Sequence, residues 1–150
     1  MNPNAQIIKY LDETRVMQVA KSSGDRPWSC TVFFAVDNAH HLYWLSLPDR
    51  EHSQDISRNP YVGGSISVTQ EYGKPVCGIQ FRGSAREVTD PQEITSLSVA
   101  YGDRFHLPTL AEDIISGKNP QHLYQMKPEL YVLYDEANSP SNPRQEWWIG

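Results

Sequence analysis

Leu42 to Pro60 reads LYWLSLPDREHSQDISRNP. Leu42, Tyr43, Trp44 and Leu45 make an apolar and aromatic run of the kind a buried strand needs. The chain then turns through Ser46, Leu47, Pro48 and Asp49 into a predicted short helix, Arg50 to Arg58. Asn59-Pro60 stops that helix, because a proline pushes the residue before it out of the helical region. A strand that feeds a helix N-terminus aims unpaired backbone N–H groups and the positive end of the helix dipole at one spot. Hydroxyl, guanidinium and imidazole groups stand at the same junction, so a phosphate seat is expected there. The competing reading is a solvated helix start, with Asp49 as N-cap and Asp49 and Glu51 pairing locally with Arg50 and His52.

Working toward the N-terminus, His41 to Ser46 is the return strand of a hairpin whose turn is Asp37-Asn38-Ala39-His40. Its partner, Trp28 to Val36 (WSCTVFFAV), is β-branched and aromatic. Before it come a turn at Ser22 to Asp25, a strand over Thr14 to Lys21, and a helix from about Pro3 to Glu13, capped by Asn2 or Asn4. Ile7, Ile8 and Leu11 give this helix one apolar face. Toward the C-terminus, Tyr61 to Gln70 is a strand in which Gly63-Gly64 permits a bulge or a close backbone approach. Val76 to Thr89 is a long strand with bends at Gly78 and Gly83. Thr89 or Asp90 caps a helix that starts at Pro91 and runs to about Tyr101 or Phe105. Thr109 to Ser116 is a second helix ended by Gly117. A strand lies within His122 to Asp135, clearest in ELYVLY, and Gln145 to Ile149 is a short terminal strand. Some seven strands joined mostly by short turns predict a mainly β chain, an antiparallel barrel with helices packed at its edges, in one domain spanning 1–150.

The bulk numbers set limits. The 150 residues carry a net charge of −5 with no basic block, which argues against nucleic acid as the main partner, since phosphate neutralisation needs clustered cations. No apolar run approaches the roughly 20 residues that span a membrane. Cys30 and Cys77 lie far apart, with no CxxC pattern and no secretory signal, and are expected to be reduced thiols of a soluble cytoplasmic protein. No metal site is predicted, and the His40-His41 pair reads as a solvated turn. His106 and His122 have no partner visible in the sequence.

The ordered set TRVMQVA, RPWSCTVFFAVD, LYWLS, DREHSQDISRNPYVGGSISV and GIQFRGSAREV resembles the FMN-binding split-barrel family, the superfamily named for pyridoxamine 5′-phosphate oxidase. The likeness covers about Tyr10 to Val88, and the ending PELYVLYDEANSPSNPRQEWWI is similar to that of the family's small single-domain members. It implies a homodimer with FMN in clefts between subunits. By position, Ser29, Cys30, Thr31 and Val32 would meet the edge of the isoalloxazine, and Leu45 and Ser46 would touch the cofactor. Arg50 and His52 would hold the phosphate. Trp147, on the terminal strand, would wall the flavin site of the partner subunit, or else pack on the barrel with Trp148. Tyr72, Tyr101 and Phe105 are open to either a cleft or a core role. The chain departs from the oxidase pattern at Cys30, where an Arg is expected, at Glu51 and His52, where Arg and Lys are expected, and in lacking the Arg-Leu-Ala-Pro ending. Pyridoxamine-phosphate oxidation is therefore not the expected activity. The resemblance implies an FMN-dependent oxidoreductase of unknown substrate. The alternatives are a non-catalytic flavin-binding or flavin-sensing module, and a haem-binding split barrel with His106 or His122 as axial ligand.

Overall fold

The computed structural model describes residues 3–150, apart from the side chains of residues 51–53. Asn2 and the side chain of His52 therefore lie outside the described residues. Helix α1 (Pro3–Glu13) leads into β1 (Val16–Ser23) and β2 (Arg26–Phe33), which turn at Gly24 and pair in antiparallel register from Val16↔Phe33 to Ser23↔Arg26. The expected strand Trp28 to Val36 is interrupted at Phe34 and continues as β3 (Ala35–Val36), which pairs with β4 (Leu42–Ser46) instead of β1. Then follow α2 (Glu51–Arg58), β5 (Tyr61–Ser67), β6 (Cys77–Val88), α3 (Pro91–Leu97), α4 (Val99–Arg104), α5 (Leu110–Ser116), β7 (His122–Asp135) and β8 (Arg144–Trp148).

The strand order β2-β1-β5-β6-β7-β4-β3 becomes a ring because β3 continues β2. All pairings are antiparallel. The break at Phe34 lets one strand serve both sides of the closure, and beyond it the outer edge of β2 has no strand partner among the described residues. β7 is shared in the same way: its first half pairs with β4 and its second half with β8. Of the two bends expected in β6, the one at Gly83 is a register shift, where Arg82 faces Leu130 but Gly83 faces Pro128.

Side chains alternate between the two faces of each strand. The inner face holds the main core, with Met17, Val19, Phe34, Leu42, Trp44, Ile66, Ile79, Phe81, Met126 and Tyr131. Ile7, Tyr10 and Leu11 of α1 and Ile56 of α2 pack into it. Contacts of α1 with β7 and β8, and of α2 with β1, β2 and β6, put the two helices at opposite ends of the strands. A second core lies outside the barrel, where Ala35, Tyr43, Val88 and Leu123 meet Ile94, Tyr101, Leu110 and Ile114 of α3 to α5. The local signals that shape these helices act as read. Asp90 accepts the Glu93 N–H at 3.1 Å with Pro91 at the first helical position, and Gly117 ends α5 in the left-handed region at φ 80°. The helix expected to run from Pro91 to Tyr101 or beyond is two, broken at Ser98.

Candidate functional site

β4 delivers the chain to α2 as the sequence predicts, with the helix one residue shorter. Its N-cap is Arg50, not Asp49, and the Arg50 side chain makes no cap hydrogen bond. Asp49 is thus not the N-cap whose carboxylate would compete with an anion at the start of α2. The turn is held by Arg50 N–H donating to the Leu47 carbonyl at 3.1 Å and by Gln54 donating from Nε2 to the Asp49 carbonyl at 3.3 Å. Arg50 is exposed. Beneath the helix, Lys21 on β1 bonds Asp55, with side chains only 1% and 6% exposed, and Ser23 Oγ donates to the other Asp55 oxygen at 3.3 Å. The Lys21 hydrogen bond holds the Asp55 carboxyl below its ordinary range, against the opposing effect of burial.

The alternation of β2 separates the four residues assigned to the flavin edge. Ser29 and Thr31 lie on the outer face and are exposed, whereas Cys30 and Val32 face inward and pack on the core. Burial raises the Cys30 thiol above its usual range, with Lys21 opposing it in part, so the thiol is protonated and unreactive at neutral pH. Only the backbone of the open β2 edge can present all four positions to one ligand. Leu45 and Ser46 are divided in the same way. Leu45 packs in the outer core under the helices, and Ser46 is buried on the inner face opposite His122.

Trp147 pairs with Tyr131, and its ring lies 6.0 Å from Tyr131 and 5.0 Å from His40. Ser46 pairs at His122, at the opposite end of β7 and about 30 Å along the strand at ~3.3 Å per residue. Trp147 and the α2 turn of the same chain therefore do not share one site. Trp148 is exposed, under the Arg82 guanidinium at 5.2 Å. Tyr101 is buried and Phe105 packs against the same outer core, while Tyr72 is fully exposed in the loop before β6.

One pair went unseen in the sequence. His122 Nδ1 lies 2.6 Å from Glu87 Oε1, which also accepts from the Tyr124 hydroxyl at 3.4 Å. Glu87 and Tyr124 line a cavity of about 440 Å³ with Pro48, Ile56 and Ser57, alongside α2. The partners are 35 residues apart, so no local motif could have announced them. A larger groove, about 550 Å³, runs over the outer face between Ser65, Gln80, Val132 and Tyr134. Among the described residues no cluster of three or more His, Cys, Asp or Glu is placed to hold a metal ion, and no helix is long and apolar enough to cross a membrane.

The fold recurs in solved structures. An FAD-binding protein of Mesorhizobium loti superposes with a TM-score of 0.67 over 85% of this chain and 90% of its own, at 19% identity. A protein of Listeria innocua named for pyridoxamine 5′-phosphate oxidase gives 0.66 over 88% and 98%, at 20% identity. The chain has the split-barrel fold. The split barrel is shared also with a haem-binding protein of Mycobacterium smegmatis, with a TM-score of 0.65 at 11% identity, over 91% of this chain and 54% of that one. In sequence the chain is similar to a UPF0306 protein of Yersinia enterocolitica, 28% identical over 96 residues, which is 62% of this chain and 65% of that protein. No protein-family model matches the chain.

Proposed function

We propose that this split barrel binds FMN, with the phosphate at the N-terminus of α2 and the ring along the open edge of β2, and that it works as an oxidoreductase. The observation that carries this reading is the α2 N-terminus itself. Its N-cap, Arg50, is exposed and makes no side-chain cap, and the helix packs against β1 and β2 in a fold shared with an FAD-binding protein. The residues fit the group. The amides of a helix N-terminus and one guanidinium suit a phosphate dianion, and an edge strand offers backbone donors and acceptors to the imide edge of a flavin. FMN would supply the hydride or electron chemistry, while the chain binds, orients and excludes water. Dimerisation belongs to the same reading. Phe33 is 60% exposed and Trp28 48% exposed, on the two faces of β2, and a second copy covering that strand would close the cleft that one chain leaves open.

The test is the absorbance spectrum of the purified protein, with mass spectrometry of whatever small molecule accompanies it. Flavin bands and a mass equal to FMN are expected, and colourless protein that fails to quench added FMN refutes the proposal. Arg50→Ala should weaken FMN binding about tenfold, the value of one charge-assisted hydrogen bond at an exposed site, near 1.5 kcal/mol. Riboflavin binding should change little, and equal losses for both ligands would contradict the phosphate assignment. A monomer mass by sedimentation at micromolar concentration would refute the dimer. Bleaching by NADH or NADPH under anaerobic conditions separates an enzyme from a passive flavin-binding module.

One observation favours a second reading. His122, bonded through Nδ1 to Glu87, leaves Nε2 facing away from its anionic partner, which is the arrangement an axial haem ligand uses. His106, exposed and in the left-handed region at φ 57°, shows no such support. A Soret band in place of flavin bands would decide for haem.

A further inference from the structure

From the contacts beneath α2 we infer that Lys21 is a positioning residue that sets the distance between the flavin-ring strand and the phosphate seat. The inference rests on the FMN reading above.

Among the described side chains of helix α2, those buried against the barrel are Asp55 and Ile56. Of its eight residues, EHSQDISR, only Ile56 is apolar, and it reaches the core at 3% exposure. One aliphatic contact fixes how deep a helix lies but leaves it free to rotate and slide, because apolar burial has no direction. Among the described residues the directional contact is Lys21 to Asp55, reinforced by Ser23 Oγ of β1 on the same carboxylate. Among the described residues it is the only ion pair that joins α2 to the sheet. Both partners are almost fully buried, so solvent screens the pair little and a misplaced carboxylate would stay desolvated and unpaired.

The pair is anchored where it can relate the two ends of a bound FMN. Lys21 sits opposite Trp28 of β2 and Val62 of β5, and its β1 neighbours Ala20 and Val19 sit opposite Ser29 and Cys30. Its ammonium is therefore tied to the register of the strand that carries the ring edge. Asp55 follows Gln54, whose N–H donates to the Arg50 carbonyl at 3.1 Å and whose amide bonds Asp49. The chain of contacts runs from β2 through Lys21 and Asp55 to the first turn of α2 and Arg50. FMN has a fixed contour from ring to phosphate, so a seat displaced by an ångström loses phosphate contacts while the ring contacts survive.

The experiment measures FMN and riboflavin affinities of the full chain by flavin fluorescence quenching. In wild type FMN should bind at least tenfold tighter. In Lys21→Met that ratio should fall at least fivefold with riboflavin affinity within twofold, and Lys21→Arg, which restores a cation to Asp55, should recover it. A Lys21→Met protein with wild-type far-UV circular dichroism and an undiminished ratio overturns the inference alone. A wild type that does not prefer FMN over riboflavin overturns the phosphate seat and the inference together. If Lys21→Met does not fold, the Lys21→Met/Asp55→Leu pair replaces the charges by apolar contact, a change such sites tolerate, and the same ratio decides.

Discussion

Replacing Arg104 by Met tests how the helical layer and the barrel closure are joined. Arg104, in the last turn of α4, donates from Nη1 to the Thr14 and Phe34 carbonyls at 2.9 and 3.1 Å. From Nη2 it donates to Leu11 and Asp12 at 3.0 and 3.3 Å. Its guanidinium also lies 5.2 Å over the Phe34 ring. Phe34 is the residue at which the strand leaves β1 and turns to β4, so one side chain ties the end of α1, the closure point and α4 together. Three of the four bonds are partly buried, and the fourth, to Asp12, is exposed and replaceable by water. At about 1 kcal/mol net for each of the three, Arg104→Met should cost about 3 kcal/mol, since Met keeps much of the aliphatic packing and none of the donors. For a chain of this size that lowers the melting temperature by about 6–12 °C. Arg104→Lys, which keeps the charge but lacks the fork, should lose about half as much. Urea midpoints at constant slope and thermal melts by circular dichroism measure both. A Met variant melting within 2 °C of wild type would refute the assignment of this residue as the tie.

Gly64→Ala should be among the most damaging small changes in the sheet. Its Cβ would collide with the Gln18 carbonyl oxygen and the Phe81 ring, where Cε2 would lie at 2.8 Å. The carbonyl belongs to the β1–β5 ladder and cannot retreat, so about 3 kcal/mol is expected, the upper end for overpacking. Gly63→Ala, with its nearest atom at 3.4 Å, is the internal control at under about 1 kcal/mol, and equal losses would contradict the packing. Acid stability probes the buried pair. Because the Asp55 carboxyl is held below its ordinary range by Lys21, its contribution is complete above the unfolded-state pKa of about 3.9 and is lost as pH falls through the lower folded-state value. Wild type should therefore lose stability more steeply below about pH 4 than Asp55→Asn, and parallel urea midpoints at pH 6, 4 and 3 would refute the linkage.

How far the site was readable depends on the range of the interactions that make it. The turn from β4 into α2 was legible in Leu42 to Pro60, because Pro48, Asn59-Pro60 and the apolar run act on their own neighbours. The cap residue was not, since the choice between Asp49 and Arg50 rests on how the turn hydrogen-bonds to Leu47 and Gln54. By resemblance Ser29 to Val32 form one recognition segment, yet the pleat places Cys30 and Val32 in the core and Ser29 and Thr31 outside. Residue order specifies alternation but does not say which set faces the ligand.

The sequence by itself determined where most of the strands and helices lie, though not the breaks at Phe34 and Ser98. It marked the strands by β-branched and aromatic runs, α3 by Asp90 and Pro91, and the end of α5 by Gly117, all chemistry that acts within a few residues. The tertiary structure alone decided the break at Phe34 that closes the barrel, and the meeting of Lys21 with Asp55, of Glu87 with His122, and of Arg104 with the carbonyls of α1. These partners lie between 34 and 93 residues apart. Contacts at that range are fixed by sheet register and by which faces the helices cover, and those are properties of the assembled barrel, not of any stretch within it.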